Sequence, residues 1–146
     1  MATLNVLEIA RKDLVVCETS DSLLSVANAM LSRNVGSVLV EDGRDIVGIV
    51  TKNDLLRAYL SGKSWKDTAA QTVMSHPVAT CNAEDTIDAA LEKFQNTRYS
   101  RLAVKDMTGK IVAVVKRKIV ERFVRVSAAH DIVSRRARAS ALPRPT

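Results

Sequence analysis

Residues Gly48-Ile49-Val50-Thr51-Lys52-Asn53-Asp54-Leu55-Leu56 run from an apolar, β-branched stretch into a charged, helix-forming one, with the break at Thr51. A strand hands over to a helix here. The first turn of a helix leaves backbone N–H groups unpaired and carries the positive end of the helix dipole, and Lys52 adds a full charge. Such a place attracts an anion. Asp54 adds a carboxylate, which when ionised only accepts hydrogen bonds and so suits the paired hydroxyls of a ribose. Phosphate and ribose together point to a nucleotide. A plainer reading uses the same residues: Thr51 and Asp54 have the spacing of a capping box, in which each side chain satisfies the other's backbone N–H. From this stretch alone both readings stand.

Working outward, the chain repeats itself. Cys17 and Cys81 lie 64 positions apart, and the same shift lays Asp21 on Asp85, Val40 on Val104 and Asp42 on Asp106. With one residue inserted near Gly109, Ile46-Val47 falls on Ile111-Val112, Val50 on Val115 and Arg57 on Arg122. A unit of this length present twice indicates paired units rather than a solenoid.

Each unit has the same internal order. Leu23, Val26, Ala27, Met30 and Leu31 recur at three and four, marking one apolar face of a helix, and Ile87, Ala90, Leu91 and Phe94 repeat that face. Ser20 and Asp21 before the first helix, and Asp85 and Thr86 before the second, are cap candidates. Two β-branched runs follow, Val38-Leu39-Val40 and Ile46 to Val50, around the turn-forming Glu41-Asp42-Gly43-Arg44; the second copy has Leu102-Ala103-Val104 and Ile111 to Val115 around Asp106 to Gly109. A closing helix carries Leu55, Leu56, Tyr59 and Leu60, or Ile119, Val120, Phe123 and Val124. With a short first strand at Leu14-Val15-Val16 or Val78-Ala79-Thr80, the unit reads strand, helix, strand, strand, helix. Asn5 to Ala10 and Ala69 to Met74 are helical leads into the two units, with Trp65 packing at the connection. A sheet this small cannot bury both faces alone, and the second copy supplies a partner. The reading assigns residues 1–62 to the first unit, 63–126 to the second with its linker, and 127–146 to a basic extension, helical in part and without fixed structure from Ala139 on.

Composition agrees with a core of Val, Ile, Leu and Ala: apolar residues make up 47% of the 146 and aromatics 3%. No apolar stretch has the length to span a bilayer, and the opening Met1 to Asn5 lacks the regions of a secretory signal, so the expectation is a cytoplasmic protein without a membrane role. The net charge of +6 is concentrated after Arg122, in Arg125, Arg135, Arg136, Arg138 and Arg144, and a basic tail of that kind is normally solvated. The two cysteines are too far apart for a C-x-x-C pair and read as buried thiols. His76 and His130 lie in unrelated contexts, no nucleophile has an evident base, and no carboxylate cluster has metal spacing. The expectation is a protein that is not an enzyme.

The order of elements, the stretch Val73-Met74-Ser75-His76-Pro77, the Gly-Ile-Val-Thr-x-x-Asp handover and the tandem copy resemble a pair of cystathionine β-synthase (CBS) domains over about residues 5 to 126. The resemblance implies an α/β fold of the α+β kind: two β-α-β-β-α motifs forming a pseudo-twofold module, with small mixed sheets flanked by helices. It implies a non-catalytic regulatory module that needs no cofactor and binds AMP, ADP, ATP or S-adenosylmethionine in a cleft between the motifs. Carried over by position, Asp54 holds the ribose, Thr51, Lys52 and the helix opening meet phosphate, and Gly36 and Ser37 lie on the cleft wall. Adenine lies against backbone at Pro77, Val78 and Ala79 of the opposite unit, which also supplies Arg101 and Lys118 as phosphate-binding cations. The second unit departs from the pattern, with Lys116 where Thr51 stands and Ile119 where Asp54 stands, which leaves its cleft empty or held by charge alone. A homodimer and an effector protein are expected as partners. The competing expectation is a dimerisation scaffold whose basic tail binds nucleic acid or a protein.

Overall fold

The computed structural model describes residues 4–140. The first unit contains β1 (Val16–Glu18), α2 (Leu23–Arg33), β2 (Ser37–Asp42), β3 (Asp45–Thr51) and α3 (Lys52–Leu60), preceded by the short α1 (Val6–Ile9). The second contains β4 (Thr80–Asn82), α5 (Ile87–Gln95), β5 (Arg101–Lys105), β6 (Ile111–Lys116) and α6 (Arg117–Ser140), preceded by α4 (Ala70–Val73). Each unit builds one mixed three-stranded sheet, β1-β2-β3 or β4-β5-β6. The outer first strand pairs in parallel, as in Cys17 with Val40 and Cys81 with Val104, and the hairpin pairs antiparallel. This is the α+β architecture expected from the repeat.

The local chemistry accounts for the elements. Ser22 accepts from the Ser25 N–H and Thr86 from the Ala89 N–H, so each unit's first helix starts at a side-chain cap. Helix α2 ends on Asn34, whose left-handed backbone stops the turn. Between β5 and β6, Asp106 accepts from the Thr108 and Lys110 N–H groups and the Thr108 hydroxyl, and these bonds hold its carboxyl below the usual range.

Strands β1 and β4 begin two residues later than the apolar runs suggested. Their inward positions follow a period of two, with Val15 and Cys17 buried and Val16 exposed between them, so the thiol is part of the strand's core face. Helix α6 continues to Ser140, past the start of the segment expected to lack fixed structure; residues 141–146 lie outside the described part.

The lead segments are exchanged. Val6 of α1 is fully buried in the core of the second unit with Cys81, Phe94 and Val120, while Ala70 of α4 is fully buried in the core of the first with Leu23, Val26 and Leu55. The Val6 N–H donates to the Asp85 carbonyl and the Ala70 N–H to the Asp21 carbonyl, at 2.8 and 2.7 Å, and both partners are related by the shift of 64. The packing units therefore interleave where the sequence divides at residue 62.

Burial pushes both thiols up to about 11, with Asp21 adding to the effect at Cys17 and Lys93 opposing it at Cys81. A thiol whose pKa rises on folding holds its proton more tightly in the native state. That contribution to stability is complete below the ordinary value of 9.0 and is lost as the pH rises through about 11. At pH 8 both thiols are expected to react with a soluble thiol reagent only as fast as the chain opens, and at once in denaturant. Prompt stoichiometric reaction of the native protein would show that the thiols are accessible.

Candidate functional site

The pseudo-twofold arrangement leaves two clefts, each walled by one unit's helix opening and the other unit's sheet. In the first, Thr51 and Asp54 from the start of α3 face Ser75, Tyr99, Ser100 and Arg101 across a cavity of about 160 Å³. Asp54 Oδ2 accepts from the Thr51 N–H at 2.8 Å and from the Thr51 hydroxyl at 3.0 Å, while the Asp54 N–H donates back to Thr51 Oγ1 at 3.3 Å. The capping box is real. Asp54 Oδ1 accepts from Arg57 at 3.1 Å, and the pair is lopsided: the Arg57 side chain is 73% exposed, that of Asp54 10%. An ionised carboxylate has about four acceptor positions, so capping uses two and leaves Oδ1 to a group that solvent competes for.

The second cleft is larger, about 250 Å³, and lies between Leu14, Val15, Gly36 and Ser37 of the first unit and Val114, Lys116 and Ile119 of the second, with Arg11 and Asp13 at its edge. Lys116 occupies the place of Thr51 and Ile119 that of Asp54, so no carboxylate stands at its helix opening.

Arg101 walls both clefts. Burial lowers its pKa below the ordinary guanidinium value, opposed by the nearby Asp54 carboxylate, and a guanidinium keeps its charge throughout. Its Nε is buried with no hydrogen-bond partner in the protein. A buried donor without a partner is costly, and the guanidinium's one bond within the protein is a long one, from Nη1 to Ser100 Oγ at 3.5 Å. The guanidinium lies over Gly36: a Cβ there would stand 2.5 Å from Arg101 Nη2, so the glycine makes room for the arginine.

Several expected site residues fall elsewhere. Gly36 and Ser37 line the second cleft, because the shift of 64 matches them to Ser100 and Arg101, and each sheet faces the helix opening of the other unit. Lys118 is exposed and lines neither cleft, whereas Lys116, the last residue of β6, and Ile119, in the first turn of α6, line the second. Lys52 is likewise exposed, near Gly36. Pro77, Val78 and Ala79 do not line the cavities, and the Ala79 carbonyl is taken by the Ala103 N–H at 2.9 Å; Ser75 is the residue of that segment facing Asp54. Arg98 and Tyr99 line the first cleft with Arg57. Helical spacing from Asp54 was the signal for Arg57, and the shift from Val35 that for Tyr99. Arg117, between Lys116 and Lys118, is structural, donating to Glu121 and to the Thr97 carbonyl.

A tandem β-α-β-β-α module with two interunit clefts defines a class of paired ligand-binding domains. The CBS domain profile matches residues 6–61 and 69–125, and the chain belongs to that family. An uncharacterised protein of Methanopyrus kandleri is 28% identical over 117 residues, 79% of this chain; the chain spans 60% of that relative's length. A CBS domain protein of unknown function from Thermoplasma acidophilum matches with a TM-score of 0.77 at 17% identity, over 92% of this chain and 78% of that one. The CBS domain pair of protein MJ0100, solved in complex with 5′-methylthioadenosine and S-adenosyl-L-methionine, matches with a TM-score of 0.75 at 20% identity, over 86% of this chain and 99% of that one.

The capping box alone yields a measurable outcome. Asp54→Ala, with no ligand present, is expected to lower stability by about 0.5–2 kcal/mol in a urea titration, because the Thr51 N–H and hydroxyl lose their acceptor and the capping box is left half-made. An unchanged midpoint would mean that water replaces the cap.

Proposed function

We propose that the chain is a non-catalytic regulatory module that binds an adenine nucleotide in the first cleft and passes the occupancy to another protein. The observation that carries this reading is a diol acceptor, Asp54, and a partly buried guanidinium with an unpaired Nε, Arg101, on opposite walls of one cleft. The ribose hydroxyls take Asp54 Oδ1 from Arg57, an ion pair exposed enough to contribute about 1 kcal/mol at most, and the released Arg57 turns to phosphate. Arg101 meets the same phosphate with paired donors in a plane. The adenosyl ligands of the MJ0100 pair support an adenosyl group here as well. The cations around the cleft favour a phosphate tail over the sulfonium of S-adenosylmethionine, so AMP, ADP and ATP fit best. No described helix is long and apolar enough to cross a membrane.

Titration calorimetry tests the site. Asp54→Ala is expected to weaken AMP about tenfold to a hundredfold, the loss of one charged acceptor. Arg101→Ala is expected to weaken AMP while leaving adenosine little changed, because its contact is phosphate. If both variants bind every adenine nucleotide as wild type does, the reading fails and a scaffold without nucleotide takes its place. In wild type the expected stoichiometry is one tight nucleotide per chain, since Ile119 removes the acceptor from the second cleft.

Leu31, Leu56, Tyr59, Leu60 and Phe123 are exposed on the helices, more apolar surface than one pair of units covers. This supports a homodimer built on helix faces. Light scattering is expected to give twice the chain mass at micromolar concentration, and a monomer there would overturn the assembly.

A further inference from the structure

Of the four charged side chains lining the second cleft, three are cations: Arg11, Arg101 and Lys116. The fourth, Asp13, is already paired with Arg33. The register of β5 and β6 sets Arg101 directly opposite Lys116, whereas the matching pair in the first unit is Ser37 opposite Thr51. Like charges opposed across antiparallel strands destabilise a sheet, so this unit carries a cost that its twin avoids. Burial and then Arg101, Arg11, Lys52 and Lys118 lower the pKa of Lys116, the mark of a cluster that repels itself. Helix α6 has no acidic residue in its first turn to offset these charges. The apolar Ile119, in the place of Asp54, leaves nothing at this helix opening to accept a ribose diol.

We propose that the second cleft is a site for a polyvalent phosphate-class anion that brings no nucleoside into it, with Arg11, Lys116 and Arg101 as its cations. The anion offsets the opposed charges of β5 and β6. Because Arg101 also walls the first cleft, an anion here and a nucleotide phosphate there draw on one guanidinium, and each weakens the other by the same factor. This coupling, and a nucleotide tail as the anion's source, rest on the nucleotide reading; the anion site itself does not. The anion comes from solution or from the tail of a nucleotide seated in the first cleft.

Calorimetry with sodium pyrophosphate, at constant ionic strength and without nucleotide, tests the site by itself. The expected result is saturable binding that Lys116→Gln weakens by about tenfold or more, as for the loss of one charge-assisted contact. Lys110→Gln, which removes the same charge from the exposed turn between β5 and β6, is expected to leave it unchanged. AMP is expected to weaken pyrophosphate binding and adenosine to leave it as it was. If the anion is a nucleotide's own tail, pyrophosphate alone gives no saturable heat, and the preference for ATP over AMP in wild type is lost in Lys116→Gln. Absence of both signatures overturns the site, as does equal weakening by Lys110→Gln, which would mark a response to net charge. Because the pyrophosphate arm uses no nucleotide, it stands or falls separately from the proposed role of the first cleft.

Discussion

The exchange of lead segments is the constraint on which the rest of the structure depends. A three-stranded sheet with two helices has too little interior to close over itself. Each unit closes with a piece of chain that precedes the other: Val6 fills the second core and Ala70 the first, each tied by one backbone hydrogen bond to the loop before the unit's first helix. The same segments then pair edge to edge with the far hairpin, Arg11 with Val114 and Ser75 with Ile49. Neither unit has a complete core without the other. The two clefts follow, because each crossing segment runs between one unit's helix opening and the other's sheet.

A symmetric scaffold need not carry symmetric sites. Backbone bonds are kept in both halves: the Lys52 N–H donates to the Gly36 carbonyl and the Arg117 N–H to that of Ser100, at 3.1 and 2.9 Å. Side chains in the clefts are free to diverge because they hold little of the core. Thr51 and Asp54 became Lys116 and Ile119, and Ser37 became Arg101. One helix opening is capped by its own side chains and faces a cation; the other carries cations of its own. The difference lies in charge, within a fold that has hardly changed.

Much of the fold was legible in the sequence because it rests on local rules. The spacing of Leu23, Val26 and Met30, the turn at Gly43, whose positive φ suits glycine, and the shift between Cys17 and Cys81 each report a nearest-neighbour requirement. The exchange of leads was not legible. Val6 and Ala70 are apolar residues on one-turn helices, and nothing in their periodicity says which core they enter. The same gap put Gly36 and Ser37 beside Asp54, since a residue's cleft is set by how the units cross. Lys118 was carried over by position from the family pattern, and in the fold its side chain is exposed and lines neither cleft.

Arg101 shows why the crossing matters for function as well as for closure. At the first position of β5 it has Lys116, the last residue of β6, beside it and Gly36 of the other unit against its guanidinium. A longer strand before it would bury the charge in the sheet, and a side chain at Gly36 would occupy the space that Nη2 fills. A lysine would place one point charge where the guanidinium presents several donors in a fixed plane. The residue is therefore held by the backbone of one unit and the missing side chain of the other, and its position depends on how the units sit together. Its guanidinium lines both cavities, so the proposed ligands of the two clefts would meet one and the same group. Two small sheets, each incomplete alone, thereby share one charge that either cleft can claim.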